Sequence, residues 1–176
     1  MNIRPILPED AENLVALFGS LSARDITVIR EDLTEDAAIA ALVNSPELRW
    51  VALDDATKLV GYATVRRLPG WSDHVGELRL VVDPTARGGG YGRALAQQAL
   101  RAAFTAGIRK VLIELATDED KVVAMFTGLG FTGEALLRNH IRDRDGNLRD
   151  LVVLAHHVDE VWGNLDAIGV SDALLS

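Results

Sequence analysis

The sequence predicts a single α/β domain built on one mixed sheet flanked by helices, and three observations predict it. Its 176 residues are 48% apolar and 25% charged. That suits one soluble domain with a real core, since a chain of this size buries roughly 70% of the surface its extended form would expose. The apolar period is helical in the first third and switches to two at Trp50. Turn residues then cut the chain into the order β-α-α-β-β-β-α-β-α-β-β, which places one sheet between helices.

Taken in order, Ile3 to Ile6 reads as a first strand. Pro8-Glu9-Asp10 opens an amphipathic helix carrying Leu14, Val15, Leu17 and Phe18, stopped near Gly19. A second helical region covers Ile26 to about Val43, with Thr34 and Asp36 as caps inside it that can split it in two. Trp50 to Leu53 and Leu59 to Arg66 alternate as a hairpin, and Val75 to Val82 is a further strand stopped by Asp83-Pro84. A glycine-rich stretch, Arg87 to Gly92, leads into a helix over Arg93 to Ala106 that ends at Gly107. Val111 to Leu115 reads as a buried strand and Glu119 to Thr127 as a short helix. Glu134 to Arg142 and Leu148 to Ala155 pair around the hairpin signal Asp145-Gly146. Residues 1–157 thus form one domain, and 158–176 a helical tail.

Composition narrows the function. There is no cysteine, so thiol catalysis, disulfides and cysteine-based metal centres are excluded, and no metal is expected. Eighteen basic against 26 acidic residues give a net charge of −8, which disfavours nucleic acid as a partner. No apolar run approaches the ~18 residues that span a bilayer, and the charged first ten residues do not resemble a signal peptide. The expectation is a cytoplasmic protein with neither a membrane nor a nucleic-acid partner; a homodimer is left open.

The most informative segment is Val81-Val82-Asp83-Pro84-Thr85-Ala86-Arg87-Gly88-Gly89-Gly90-Tyr91-Gly92-Arg93, a strand joined to a helix through four glycines. Without Cβ atoms, successive amides can converge on an anion, and the helix adds about half a positive charge at its N-terminus. Arg87 and Arg93 bracket the site with further charge. A Walker A loop fails, because no lysine lies between Lys58 and Lys110. The dinucleotide fingerprint begins at Gly90-Tyr91-Gly92, but its third glycine is Leu95, and Asp83 to Ala86 separate strand from glycines.

Arg87-x-x-Gly90-x-Gly92 after a strand ending Val-Asp-Pro resembles the acyl-coenzyme A motif of the GCN5-related N-acetyltransferases. Ala124-Met125-Phe126-Thr127-Gly128-Leu129-Gly130-Phe131 resembles that family's second helix-to-strand junction, and the resemblance covers about residues 2 to 155. It implies the family's fold, a largely antiparallel mixed sheet of about seven strands. It also implies acetyl-CoA as co-substrate and a primary amine of a small molecule, peptide or protein as acceptor, attacked directly in a ternary complex. The edge of Leu80, Val81 and Val82 would pair with the pantetheine arm. The amides of Gly88, Gly89, Gly90, Tyr91, Gly92 and Arg93, with Arg87, would receive the diphosphate, and Phe126 would lie against the cofactor.

For a general base the resemblance offers Glu77, early in the strand before the loop, and Glu114, late in the next strand. Each also reads as a strand carboxylate paired with an arginine, Arg79 or Arg109. The tyrosine that often protonates the departing thiolate in this family falls at Phe126, which has no ionisable proton, and the asparagine often found seven residues earlier is Glu119. A rival reading follows, a non-catalytic acyl-CoA sensor or regulatory interaction module. The walls of the acceptor groove would be the Leu21 to Val43 helices, with an acidic cluster of Glu31, Asp32, Glu35 and Asp36, and the hairpin around Asp143 to Asn147.

Overall fold

A computed structural model describes residues 1–27, 36–45 and 47–157. Strands β1 (Asn2–Pro5), β2 (Leu48–Leu53), β3 (Leu59–Arg67), β4 (Val75–Val82), β5 (Lys110–Ala116), β6 (Thr132–Arg142) and β7 (Leu148–His157) are joined with helices α1 (Ala11–Gly19), α2 (Ala23–Thr27), α3 (Asp36–Val43), α4 (Tyr91–Thr105) and α5 (Asp120–Thr127). The strands form one seven-stranded sheet in the order β1-β2-β3-β4-β5-β7-β6. Every neighbouring pair is antiparallel except β4 with β5, so the expected mixed, largely antiparallel sheet is present. Of the second helical region, expected over Ile26 to about Val43, the described residues belong to the end of α2 and to α3, and residues 28–35 between them lie outside the described residues. Glu31, Asp32 and Glu35 lie outside the described residues, as does the tail from 158.

Helices cover both faces. On one, α4 sets Leu95, Ala96, Ala99, Leu100 and Ala103 against Val65, Leu78, Val111 and Ile113. Alanines along that stripe let the helix axis approach the sheet closely. Its end is capped as the glycine at 107 suggests: the amide of Ile108 returns to the carbonyl of Ala103 at 2.9 Å. On the other face, Leu14, Leu17 and Phe18 of α1 and Ile39, Leu42 and Val43 of α3 pack on Val51, Leu59 and Tyr62. The Phe18 and Tyr62 rings meet edge to face at 5.7 Å. At the β6–β7 hairpin, Asp143 accepts the amides of Asp145 and Asn147 and braces the turn. No described helix is long and apolar enough to cross a membrane.

Candidate functional site

The single parallel pair opens the site. β4 and β5 are in register at Val75 with Lys110, Gly76 with Val111 and Glu77 with Leu112, and there the pairing stops. Beyond that point β4 stays with β3 as far as Val82, opposite Gly61, while β5 stays with β7 as far as Ala116, opposite Leu151. The sheet therefore forks. The amide of Asp83 donates to the carbonyl of Val60 at 2.9 Å, which sets the phase of β4. Its odd residues bond to β3, and beyond the last position paired with β5 the main-chain groups of Leu80 and Val82 turn toward the gap. The Val82 carbonyl accepts Nε of Arg87 at 3.3 Å. By the same logic the amide of Thr117, bonded to Asp150 at 3.2 Å, leaves the main chain of Glu114 and Ala116 facing the gap from the other arm.

The glycine loop caps the mouth of the fork. Asp83 holds its base: the carboxylate accepts Nζ of Lys58 at 2.8 Å and the hydroxyl and amide of Thr85 at 2.7 and 2.8 Å. These bonds hold the Asp83 carboxyl down at about 2. Gly88 and Gly90 both sit at φ +83°, a conformation that suits glycine and re-aims successive amides. The Gly89 amide bonds back to Ala86 and that of Ala94 to Gly90. Among the described residues, the amides of Gly88, Gly90, Tyr91, Gly92 and Arg93 have no backbone acceptor, as expected for the first turn of a helix. α4 begins two residues earlier than the helical pattern indicates, so Tyr91 and Gly92 belong to that turn.

A cavity of about 630 Å³ joins fork and loop. Leu80, Val81, Val82, Arg87, Gly88, Gly90, Tyr91, Gly92 and Arg93 all line it; so do Leu21, Arg24 and Asp25, from the segment expected to wall the acceptor groove, Met125 of the second motif, and Leu115, Ala116, Lys121 and Val122, to which the sequence did not point. Glu119, singled out only as a departure from the family pattern, lines it too. Its deep part is apolar and its mouth is charged. Four cations line the cavity of a protein whose net charge is −8. Arg93 donates to the neutral carbonyl of Gly128 at 3.0 Å, so its charge is not cancelled by that bond. Arg87 and Arg24, in contrast, each face a carboxylate.

Two expected contacts are corrected. Gly89 is not among the lining residues; its amide is spent on Ala86. Phe126 is fully buried, with its ring edge to face on Phe131 at 5.1 Å. The cavity is instead met by Val122 and Met125 of the same helix. Residues 122 and 125 share one face of α5, and 126 is turned about 100° from 125 into the core.

The two candidate bases do not line the cavity. They stand on opposite arms of the fork, on the sheet face that carries Val81 and Ala116 rather than the face under α4. Glu77 is buried and accepts Arg66 Nη2 at 3.1 Å and Arg79 Nη2 and Nε at 3.1 and 3.3 Å. Burial pushes its carboxyl up, but Arg79 and Arg66 outweigh that and hold it below the usual range. Such a carboxylate is a poor proton acceptor. Glu114 is half-buried two residues beyond the last paired position of β5.

Comparison with known proteins agrees with this architecture. The acetyltransferase (GNAT) family model matches residues 16–131. The N-alpha-acetyltransferase RimI of Mycobacterium tuberculosis is 31% identical over 115 residues, 65% of this chain and 71% of that protein. The mycothiol acetyltransferase of Amycolatopsis mediterranei is 43% identical over 61 residues, 34% of this chain. The chain spans 20% and 27% of the length of the first curated relatives it matches. Among solved structures, a ribosomal-protein-alanine N-acetyltransferase from Brucella melitensis superposes with a TM-score of 0.80 at 20% identity, covering 90% of this chain and all of that one. A phosphinothricin acetyltransferase from Sinorhizobium meliloti in complex with acetyl-CoA superposes at 0.76 and 18% identity, covering 89% and 87%. The fork, the glycine loop and these matches together carry one conclusion: the chain belongs to the acetyltransferase (GNAT) family.

Proposed function

We infer that the protein transfers an acetyl group from acetyl-CoA to a primary amine of a small molecule, peptide or protein, by direct attack in a ternary complex. One observation carries this reading: a gap between two strand edges with inward-facing main chain runs without interruption into a loop of unbonded amides. The residues suit the cofactor's three parts. The apolar floor of Leu80, Val82, Leu115 and Met125 suits an extended pantetheine arm, and the main chain of Leu80 with the amides of Val82 and Ala116 suits its amides as an added strand would, the Val82 and Ala116 carbonyls being taken by Arg87 and by the Glu119 amide. Gly88 to Arg93 and the start of α4 suit the diphosphate.

When bound, acetyl-CoA supplies a thioester whose carbonyl carbon the amine attacks, forming C–N as C–S breaks. The amide of Val82, turned into the gap, is placed to donate to the carbonyl oxygen as charge builds there. Glu114 takes the amine proton, directly or through water, and Glu77 stays paired with Arg66 and Arg79 on the same face of the sheet. Phe126 offers no proton to the leaving thiolate, which departs unassisted or takes one from water, thiols being acidic enough to leave near pH 8.

Turnover of acetyl-CoA with a panel of small amines, peptides and proteins, followed by released thiol, tests the reading. Saturable thiol release with at least one class of amine is expected. Tight acetyl-CoA binding with no turnover across the panel would instead favour a sensor, the reading to which Phe126 also points.

A further inference from the structure

Two adjacent residues of α2 reach opposite banks of the cavity. Asp25 closes a reciprocal cap with Ser22: its Oδ2 accepts the Ser22 amide at 2.9 Å and hydroxyl at 2.7 Å, while its own amide donates to Ser22 Oγ at 3.2 Å. The cap pins one carboxylate oxygen and leaves Oδ1 turned to the cavity. There it accepts Nη2 of Arg87, 62 residues away in the glycine loop, at 2.7 Å. Arg24 takes the other bank. Its Nε donates to Glu119 at 2.7 Å and its Nη2 lies 3.0 Å from Asp118, both at the start of α5.

We propose that Asp25 is an internal stand-in for a cofactor phosphate on Arg87, and that α2 is a strap across the cavity released at that end when the cofactor binds. The proposal rests on the acetyl-CoA reading above. A diphosphate arriving at the glycine loop finds Arg87 already paired with a carboxylate, and its own charge is repelled by that carboxylate. The favourable arrangement hands Arg87 to the phosphate and moves the Asp25 carboxylate away, while Arg24 stays paired on the opposite bank with Asp118 and Glu119, just ahead of α5. Affinity for the cofactor is thereby held below what the loop alone would give, and cofactor binding is coupled to the position of the segment beside it.

The test is calorimetric titration of the full chain and its Asp25→Asn variant with coenzyme A and with pantetheine, which lacks phosphate. Asparagine keeps a carbonyl oxygen for the Ser22 amide and removes the charge. Coenzyme A is expected to bind the variant about three- to tenfold more tightly, the gain shrinking at high salt, with pantetheine affinity unchanged. Equal or weaker coenzyme A binding by the variant, or a parallel change for pantetheine, overturns the strap. Failure of the unaltered protein to bind coenzyme A overturns the acetyl-CoA reading itself. Hydrogen exchange in the unaltered chain gives a second measure: the amides of 22–25 should exchange faster when coenzyme A is bound, and unchanged or slower exchange counts against release.

Discussion

Gly92 separates folding from binding more cleanly than any other residue of the loop. It lies inside the first turn of α4, and a Cβ there would meet Val82, Leu80 and Met125 at 3.6 to 3.7 Å, ordinary contact distances. Gly92→Ala should therefore fold normally and gain up to about 1 kcal/mol from helix propensity, yet fill space the cofactor needs. The expected outcome is an unchanged or raised melting temperature with coenzyme A affinity at least about tenfold weaker; retained affinity would place the cofactor elsewhere. Asp83 makes the opposite case, a residue whose charge stabilises the loop. Its pKa is about 2 in the folded chain against 3.8 ordinarily. Its contribution is thus complete above pH 4 and disappears as the pH falls toward 2. That is worth roughly 1–2 kcal/mol after allowing for screening at the largely exposed Lys58. Urea denaturation should show Asp83→Asn less stable by that amount at pH 6, the difference shrinking as the pH falls from 4 through 2. The glycines and arginines of the loop were legible as a cluster because they are contiguous in sequence. Arg24 and Asp25 were not, since their partners lie 95 and 62 residues away respectively and no local pattern announces an ion pair.

At the scale of elements, the two arms of the fork set the two carboxylates apart in role. Glu77 sits opposite Arg66 across β3 and β4, a partner that only strand register reveals, whereas Arg79, two residues on along the same strand face, was readable as a partner from the sequence. Glu77→Gln should remove the carboxylate shared by Arg66 and Arg79 and cost roughly 1–2 kcal/mol, less than in a fully buried site because Arg66 is half exposed. Its effect on kcat should be small. Glu114→Gln should lower kcat roughly 100-fold or more with little loss of stability, and full activity in that variant would remove it from proton transfer. Helical phase explains the misplacement of Phe126. Motif resemblance aligned it with a functional position, but Val122 and Met125 mark the cavity side of α5, and Phe126 and Phe131 lock that helix to the sheet. The second helical region, with Thr34 and Asp36 as caps inside it, is described at the end of α2 and over Asp36–Val43.

At the scale of the whole molecule, strand order and the switch from antiparallel to parallel pairing produce the site. The order of elements was legible from period and punctuation; the point where β4 and β5 part was not, because it depends on which residues of two distant strands stop bonding. Charge follows the same division. The chain is acidic overall, yet the cavity gathers Arg24, Arg87, Arg93 and Lys121, so its positive charge is local and owes to loop geometry and not to the net charge of the chain. The most direct measurement is a titration of the isotopically labelled protein with acetyl-CoA, following backbone amide resonances. Saturable shifts concentrated at Gly88, Gly90, Tyr91, Gly92 and Arg93, accompanied by Leu80, Val82 and Ala116, are predicted. Saturated binding that leaves those amides unmoved, or acetyl-CoA that produces no shifts at all, would contradict the account.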